Sequence, residues 1–217
     1  MSYRLLVFDF DGTLVDTLGD IAYYANSVLT EYGHAPCSLK QARASIGLGV
    51  HELLKGVAPG FLKNPEKLEE AVTLFKTRYR QKPVRETRPF PHVEEILSGR
   101  LSGVKKAIIT NKPQDITLMI LNDLNLRHYF EEVIGMNAGH PPKPDPSSLL
   151  YLIKKSNVSA EQTVYIGDSR IDAQTCLHAG VDFAWMDYGY DGHGDFAPRF
   201  KFSSAGDWPV LSKARGR

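Results

Sequence analysis

Leu5-Leu6-Val7-Phe8-Asp9-Phe10-Asp11-Gly12-Thr13-Leu14-Val15-Asp16-Thr17 decides the fold. An apolar run ends in two carboxylates, then a glycine, then a threonine. A short apolar run closed by a turn signal reads as a strand buried on both faces. Side chains alternate along a strand, so Asp9 and Asp11 point the same way if both are extended. Gly12 ends the strand and lets the backbone come close to a ligand. Two unpaired carboxylates at the end of a buried strand cost several kcal/mol in lost hydration, so their presence asks for a partner. A plain Asp-Gly turn accounts for the chain reversal but for neither Thr13 nor the second Asp.

Composition narrows the classes. A length of 217 residues suits one large domain or a domain with an insertion, and can bury a substantial core. Net charge is +1, so no strong field draws the chain to nucleic acid or to a membrane surface. The basic end, Lys213-Ala214-Arg215-Gly216-Arg217, reads as a frayed tail rather than a nucleic-acid arm. Cys37 and Cys176 form neither a disulfide framework nor a zinc spacing, which fits a reducing, cytoplasmic setting. No charged-then-apolar leader precedes the first strand, and no apolar run approaches the ~18 residues that span a bilayer. The expectation is a monomer or homodimer.

Beyond Thr17 the apolar residues Leu18, Ile21, Ala22, Ala25, Val28, Leu29 and Tyr32 recur at helical spacing until Gly33. Ser38 can cap a second helix through Ala44. Gly47-Leu48-Gly49 makes a loop, and Asn64-Pro65 starts a helix that runs to about Lys82. Nothing between residues 17 and 82 reads as a strand. From Pro91 the pattern changes to alternation. A helix reaches about Leu101, then come a strand at Lys105–Asn111, a helix at Gln114–Leu124 and a short strand at Val133-Ile134. A helix starts at Asp145-Pro146, a strand covers Thr163–Asp168, a helix covers Ile171–Ala179, and Phe183–Met186 is a last clear strand. Such alternation predicts an α/β, doubly wound parallel sheet of Rossmann-like form. A strand-helix-strand crossover takes roughly 30 residues. The interval to the next strand is about three times that, so residues 17–84 are read as an inserted helical cap domain. Residues 1–16 and 85–217 form the catalytic core, and both connections leave from the same edge of the sheet.

Ligands in such folds bind beyond the carboxyl ends of the strands. Asp9, Asp11, Thr110, Asn111, Asp168 and Ser169 sit at those ends, and Lys143 lies between prolines that fix its backbone. Carboxylates with one lysine make a coherent set once a divalent cation and an anion complete it. Oxygen ligands of this kind suit Mg²⁺ with substrate phosphate.

Asp9-Phe10-Asp11-Gly12-Thr13, Thr110-Asn111, Lys143-Pro144 and Gly167-Asp168-Ser169-Arg170-Ile171-Asp172 resemble the four ordered motifs of the haloacid dehalogenase-like hydrolase superfamily. The resemblance covers most of the chain. It implies that Asp9 is a nucleophile forming an aspartyl-phosphate and that Asp11 is the general acid and then the base. It implies that Asp9, the backbone carbonyl of Asp11 and Asp168 bind Mg²⁺, with Asp172 and Ser169 behind them. Thr110 and Lys143 then hold phosphate, assisted by backbone N–H groups around Gly12 and Asn111. A small phosphorylated metabolite is the implied partner.

Asp11 matters for the branch, because members that dehalogenate or cleave phosphonates lack an acid there. Mutases of the β-phosphoglucomutase type carry a histidine early in the first cap helix, where this chain has Ile21. Asp16-Thr17-Leu18-Gly19-Asp20-Ile21, Gly47-Leu48-Gly49, Pro89-Phe90-Pro91-His92-Val93, Thr110-Asn111-Lys112-Pro113 and Tyr188-Gly189-Tyr190 resemble the phosphoglycolate phosphatase branch. Relatives acting on nucleotides or pyrophosphate share these signals, and a phosphomutase is the other enzymatic reading. A non-catalytic descendant is disfavoured by the intact set Asp9, Asp11, Thr110, Lys143 and Asp168. Arg43, His51, Lys55, Tyr79 and Arg80 are the candidate substrate contacts in the cap. Of these, Arg43 or His51 could meet a small acidic leaving group.

Overall fold

The computed structural model describes residues 3–59, 64–101 and 103–212. The basic segment 213–217 lies outside them. Chain order begins β1 (Leu5–Phe8), β2 (Val15–Asp16), α1 (Leu18–Glu31), α2 (Leu39–Arg43), α3 (Val50–Val57), α4 (Pro65–Gln81) and β3 (Arg88–Pro89). It continues α5 (Val93–Ser98), β4 (Lys105–Pro113), α6 (Gln114–Asp123), β5 (Glu132–Met136), α7 (Ser147–Ser156) and β6 (Thr163–Gly167). It closes with α8 (Arg170–Ala179), β7 (Asp182–Met186), β8 (Phe200–Phe202) and a 3-10 segment, Ala205–Ser212.

Six strands form one parallel sheet in the order β5-β4-β1-β6-β7-β8. β1 lies inside it and is buried along its whole length. Leu5 and Val7 pack with Leu149 and Leu152 of α7 and Ala173 and Cys176 of α8. Leu6 and Phe8 belong to the other layer, with Val93 and Leu97 of α5, Ile116 of α6 and Trp208. The doubly wound α/β reading therefore holds. Among the described residues no helix is long and apolar enough to cross a membrane.

Several boundaries differ from expectation. The helix expected from Pro91 starts at Val93, because His92 takes a left-handed backbone at φ 68°. In α7 Pro146 occupies the cap position, and Asp145 Oδ1 accepts from Ser147 N at 2.8 Å. β8 escaped prediction because three residues carry too little periodicity. It pairs with β7, and the following segment buries Trp208 5.1 Å from the Phe8 ring centre.

The helical block is joined to the sheet by an unpredicted ribbon. β2 and β3 pair antiparallel, Val15 opposite Pro89 and Asp16 opposite Arg88. Both connections thus run side by side beyond the carboxyl end of β1, an interior strand, and not at an edge of the sheet. Asp20, in the first turn of α1, binds the returning chain. Its carboxylate accepts from the N–H groups of Arg85, Glu86 and Thr87 at 3.0 Å each, and from Thr87 Oγ1 at 2.6 Å. Burial opposes its charge, but these donors hold the carboxyl below the usual carboxylate value.

Asp20→Asn sets an amide donor against those backbone donors. Urea unfolding at pH 7 should show a loss of about 2–3 kcal/mol. A group whose folded pKa is depressed contributes fully above its unfolded value, about 3.9, and loses that contribution as pH falls through the folded value. The gap between wild type and variant should therefore close below about pH 4. Equal unfolding midpoints at pH 7 would remove Asp20 as the anchor.

Candidate active site

β1 is paired with β4 through Phe8 and Ile108, and with β6 through Phe8 and Ile166. Asp9 N–H donates to Ile166 O at 2.9 Å, carrying the pairing one residue past the strand. That register sets Asp9 beside Asp168, which follows β6.

Lys143 enters the same place from the loop before α7, with its peptide bond to Pro144 cis. Its ammonium is buried 2.8 Å from Asp9 Oδ1, 2.7 Å from Asp172 Oδ1 and 3.1 Å from Tyr165 OH. It donates to Asp172 and Tyr165 and meets Asp9 as an ion pair. Burial opposes its charge, yet the carboxylates of Asp172 and Asp9 hold it above the ordinary lysine value. One cation does not neutralise three buried carboxylates. Burial, and then the charge of Asp172, push the Asp9 carboxyl up to about 7. Burial, then Asp9 and Asp172, push Asp168 well above the usual carboxylate value.

Asp9, Asp168 and Asp172 bring one oxygen each within 4.8 Å of the others. Asp9 Oδ1 receives no aligned hydrogen bond despite its nearness to Lys143. An anionic, all-oxygen donor set with an unsatisfied buried atom fits a hard divalent cation. The surroundings aim these groups. Thr13 Oγ1 donates to Asp168 Oδ1 at 3.0 Å, and Tyr190 N donates to Asp168 Oδ2 at 2.6 Å. Gly12 has φ +84°, and a Cβ there would lie 2.5 Å from Asp168 Oδ2. A side chain at residue 12 and Asp168 exclude one another. Ser169 caps α8. Its hydroxyl donates to Asp172 Oδ2 at 2.6 Å, so it acts on the cluster through Asp172.

Asp11 faces the same cleft, lined also by Asp9, Thr110, Lys143 and Asp168. β1 stops at Phe8, so the turn at Gly12 and not strand alternation brings Asp11 there. Its Oδ1 accepts from Thr17 Oγ1 at 2.6 Å and from Lys112 Nζ at 3.0 Å. Thr110 Oγ1 accepts from Lys112 N at 3.1 Å. The Asn111 side chain is occupied: Nδ2 donates to Gly47 O and Lys143 O, and Oδ1 accepts from Lys143 N. Asn111 thus positions Lys143 and ties the Gly47 loop to β4.

Of the five cap candidates only Tyr79 lines the cleft. Arg43 donates to the carbonyls of Gly189 and Tyr190, His51 pairs with Glu69, Lys55 with Glu52, and Arg80 with Asp115. Sequence reading missed Lys112, Tyr165, Thr13 and Tyr190 as site residues. Lys112 left one signal, a lysine directly after Thr110-Asn111 at the end of an otherwise apolar strand.

Comparison with known proteins settles the family. A model of the haloacid dehalogenase-like hydrolases matches residues 6–186. The chain belongs to the haloacid dehalogenase-like hydrolases. It is 34% identical over 196 residues to phosphoglycolate phosphatase 1 of Pseudomonas aeruginosa, covering 88% of this chain and 71% of that one. It is 33% identical over 192 residues to a phosphoglycolate phosphatase of Nitrosospira multiformis, covering 87% and 85%. A solved structure from Haemophilus somnus, named as a predicted phosphoglycolate phosphatase, superposes with TM-score 0.87 at 27% identity, covering 94% and 95%. This hydrolase is accordingly a phosphatase, a phosphoric monoester hydrolase.

Lys143→Met would leave the hydrolase with three buried, uncompensated carboxylates. Urea unfolding should show a loss of about 3–5 kcal/mol, partly recovered when Asp172→Asn is added. A Lys143→Met variant as stable as wild type would mean that the ion cluster contributes nothing.

Proposed function

We propose that this phosphatase hydrolyses small phosphate monoesters, 2-phosphoglycolate foremost, through an aspartyl-phosphate on Asp9 with Mg²⁺ bound. The observation that carries this reading is the buried meeting of Asp9, Asp168 and Asp172 with Lys143, beside a separate carboxylate, Asp11, held by its own donors.

An Asp9 carboxylate oxygen attacks phosphorus, and the bond to the alcohol oxygen breaks. Asp11 supplies the proton that the leaving alcohol takes. Water then attacks phosphorus while Asp11 takes its proton, the bond to Asp9 breaks, and phosphate leaves. Lys143 and Thr110 hold phosphate oxygens, with N–H groups near Gly12 and Asn111. Asp172 keeps Lys143 charged and in place. Mg²⁺, held by Asp9, Asp168 and the Asp11 carbonyl, would neutralise charge on the transferring phosphoryl group. Residues 17–84 act as the cap that excludes water.

Size and lining favour a small ester. The cleft encloses about 60 Å³, room for only a few waters. Ile21 lines it, and among its described lining residues there is no histidine to serve a mutase. Free Cys37 and Cys176 fit a reducing cytosol.

A panel of phosphate esters tests the substrate. 2-Phosphoglycolate should give the highest kcat/KM, with nucleotides and pyrophosphate at least about 100-fold lower. A nucleotide at the head of the panel would overturn the size argument. Chelation should abolish turnover and Mg²⁺ should restore it, whereas full activity after exhaustive chelation would contradict the metal.

A further inference from the structure

We infer that Lys112 binds a carboxylate carried by the leaving group, so that it selects acidic phosphate esters over neutral ones. The inference rests on the phosphatase reading above and assigns the part of the substrate that does not react.

Lys112 and Lys143 are the only cations among the described residues lining the cleft. Lys143 donates to Asp172 and Tyr165 and lies 2.8 Å from Asp9, inside the reacting cluster. Lys112 stands outside that cluster, against Asp11 and the helical block. It is 6% exposed, and its ammonium reaches Asp11 Oδ1 at 3.0 Å and Tyr79 OH at 3.2 Å. Its further contact, with Asp11 Oδ2 at 3.4 Å, is long, so one N–H can turn to an entering ligand. The Tyr79 ring centre lies 4.7 Å from Nζ, so the cation sits where β4 meets the helical block.

The position suits a carboxylate. Asp11 must reach the ester oxygen that leaves. In a phosphorylated 2-hydroxy acid the carboxylate carbon is two bonds from that oxygen. A cation 3.0 Å from Asp11 therefore stands beside the place such a carboxylate would occupy. Elsewhere the cleft is largely apolar, with Ile21, Ile46, Val50, Leu53 and Phe75. An unpaired carboxylate among them would lose its hydration without compensation. The expected alternatives are engaged elsewhere, since Arg43 holds two carbonyls of the Gly189-Tyr190 loop and His51 pairs with Glu69. A neutral alcohol can accept an N–H from Lys112 but brings no charge to pair with the ammonium. The charge thus discriminates.

The test compares 2-phosphoglycolate with 2-hydroxyethyl phosphate, which keeps the skeleton and lacks the charge. Lys112 touches Asp11, so a change in turnover common to both esters is not the readout; the ratio of their kcat/KM values is. In Lys112→Met that ratio should fall by about 100-fold, mainly through KM for the acid, as expected when a buried charge loses its partner. Lys112→Arg should retain it within about tenfold. Lys112→Gln should give the same collapse should the Met variant fail to fold. An unchanged ratio, with both esters slowed alike, would show that Lys112 acts only on Asp11 and would overturn the inference. A wild-type enzyme indifferent to the charge would overturn it too. A wild type that prefers another phosphorylated hydroxy acid, with the preference lost in Lys112→Met, would uphold Lys112 and displace 2-phosphoglycolate as the substrate.

Discussion

One buried ammonium faces three buried carboxylates, and the rest of the structure is arranged to keep them together. Lys143 meets Asp9 and Asp172 directly, and Asp168 stands within the same cluster. Left to themselves these groups would repel or take up protons, which is the direction in which Asp9 and Asp168 are pushed. What prevents their separation is backbone. The pairing of β1 with β6 fixes Asp9 against Asp168, the glycine at residue 12 permits the approach, and Asn111 clamps the loop that carries Lys143. The sheet is a jig for charges that would not choose one another's company. The remaining excess negative charge is the physical reason to expect a cation there.

The helical block is joined to this cluster by contacts that share residues with it. Tyr190 donates its N–H to Asp168, while its hydroxyl accepts from the N–H groups of Thr17 and Leu18 and donates to Asp16. Arg43 holds the carbonyls on either side of that tyrosine's peptide. Asn111 reaches Gly47 on the far side of the cleft, and Lys112 joins Asp11 to Tyr79. A movement of the helices that widened the cleft would strain or release these contacts. Site geometry and position of the helical block are therefore coupled mechanically.

Much of this was legible in the sequence. Buried parallel strands announce themselves as apolar runs, and their polar ends mark where ligands collect, so Asp9, Thr110 and Asp168 could be read from Leu5–Asp11, Lys105–Asn111 and Thr163–Asp168, and Lys143 from the prolines around it. Capping chemistry was legible as well: Ser38 and Asn64 cap α2 and α4 as expected. The ribbon of β2 and β3 was not, because two-residue strands have no period. Nor was the anchoring role of Asp20, whose partners are backbone N–H groups more than sixty residues away. Arg43 and His51 misled for a related reason. A sequence shows that a cation exists but not whether a nearby carbonyl or carboxylate already holds it. Lys112 is the converse, a cation that looked like part of a motif and turned out to face the cleft.

The central claim is that Asp9 carries the phosphoryl group and Asp11 moves the protons. Asp11→Asn enzyme mixed with 4-nitrophenyl phosphate tests it most directly, since this leaving group needs no proton to depart. The account predicts a burst of nitrophenolate equal to the enzyme present, then slow turnover, with phosphate trapped by acid on the peptide containing Asp9. Steady release of nitrophenolate without a burst, and no phosphate on Asp9 at any time, would contradict it.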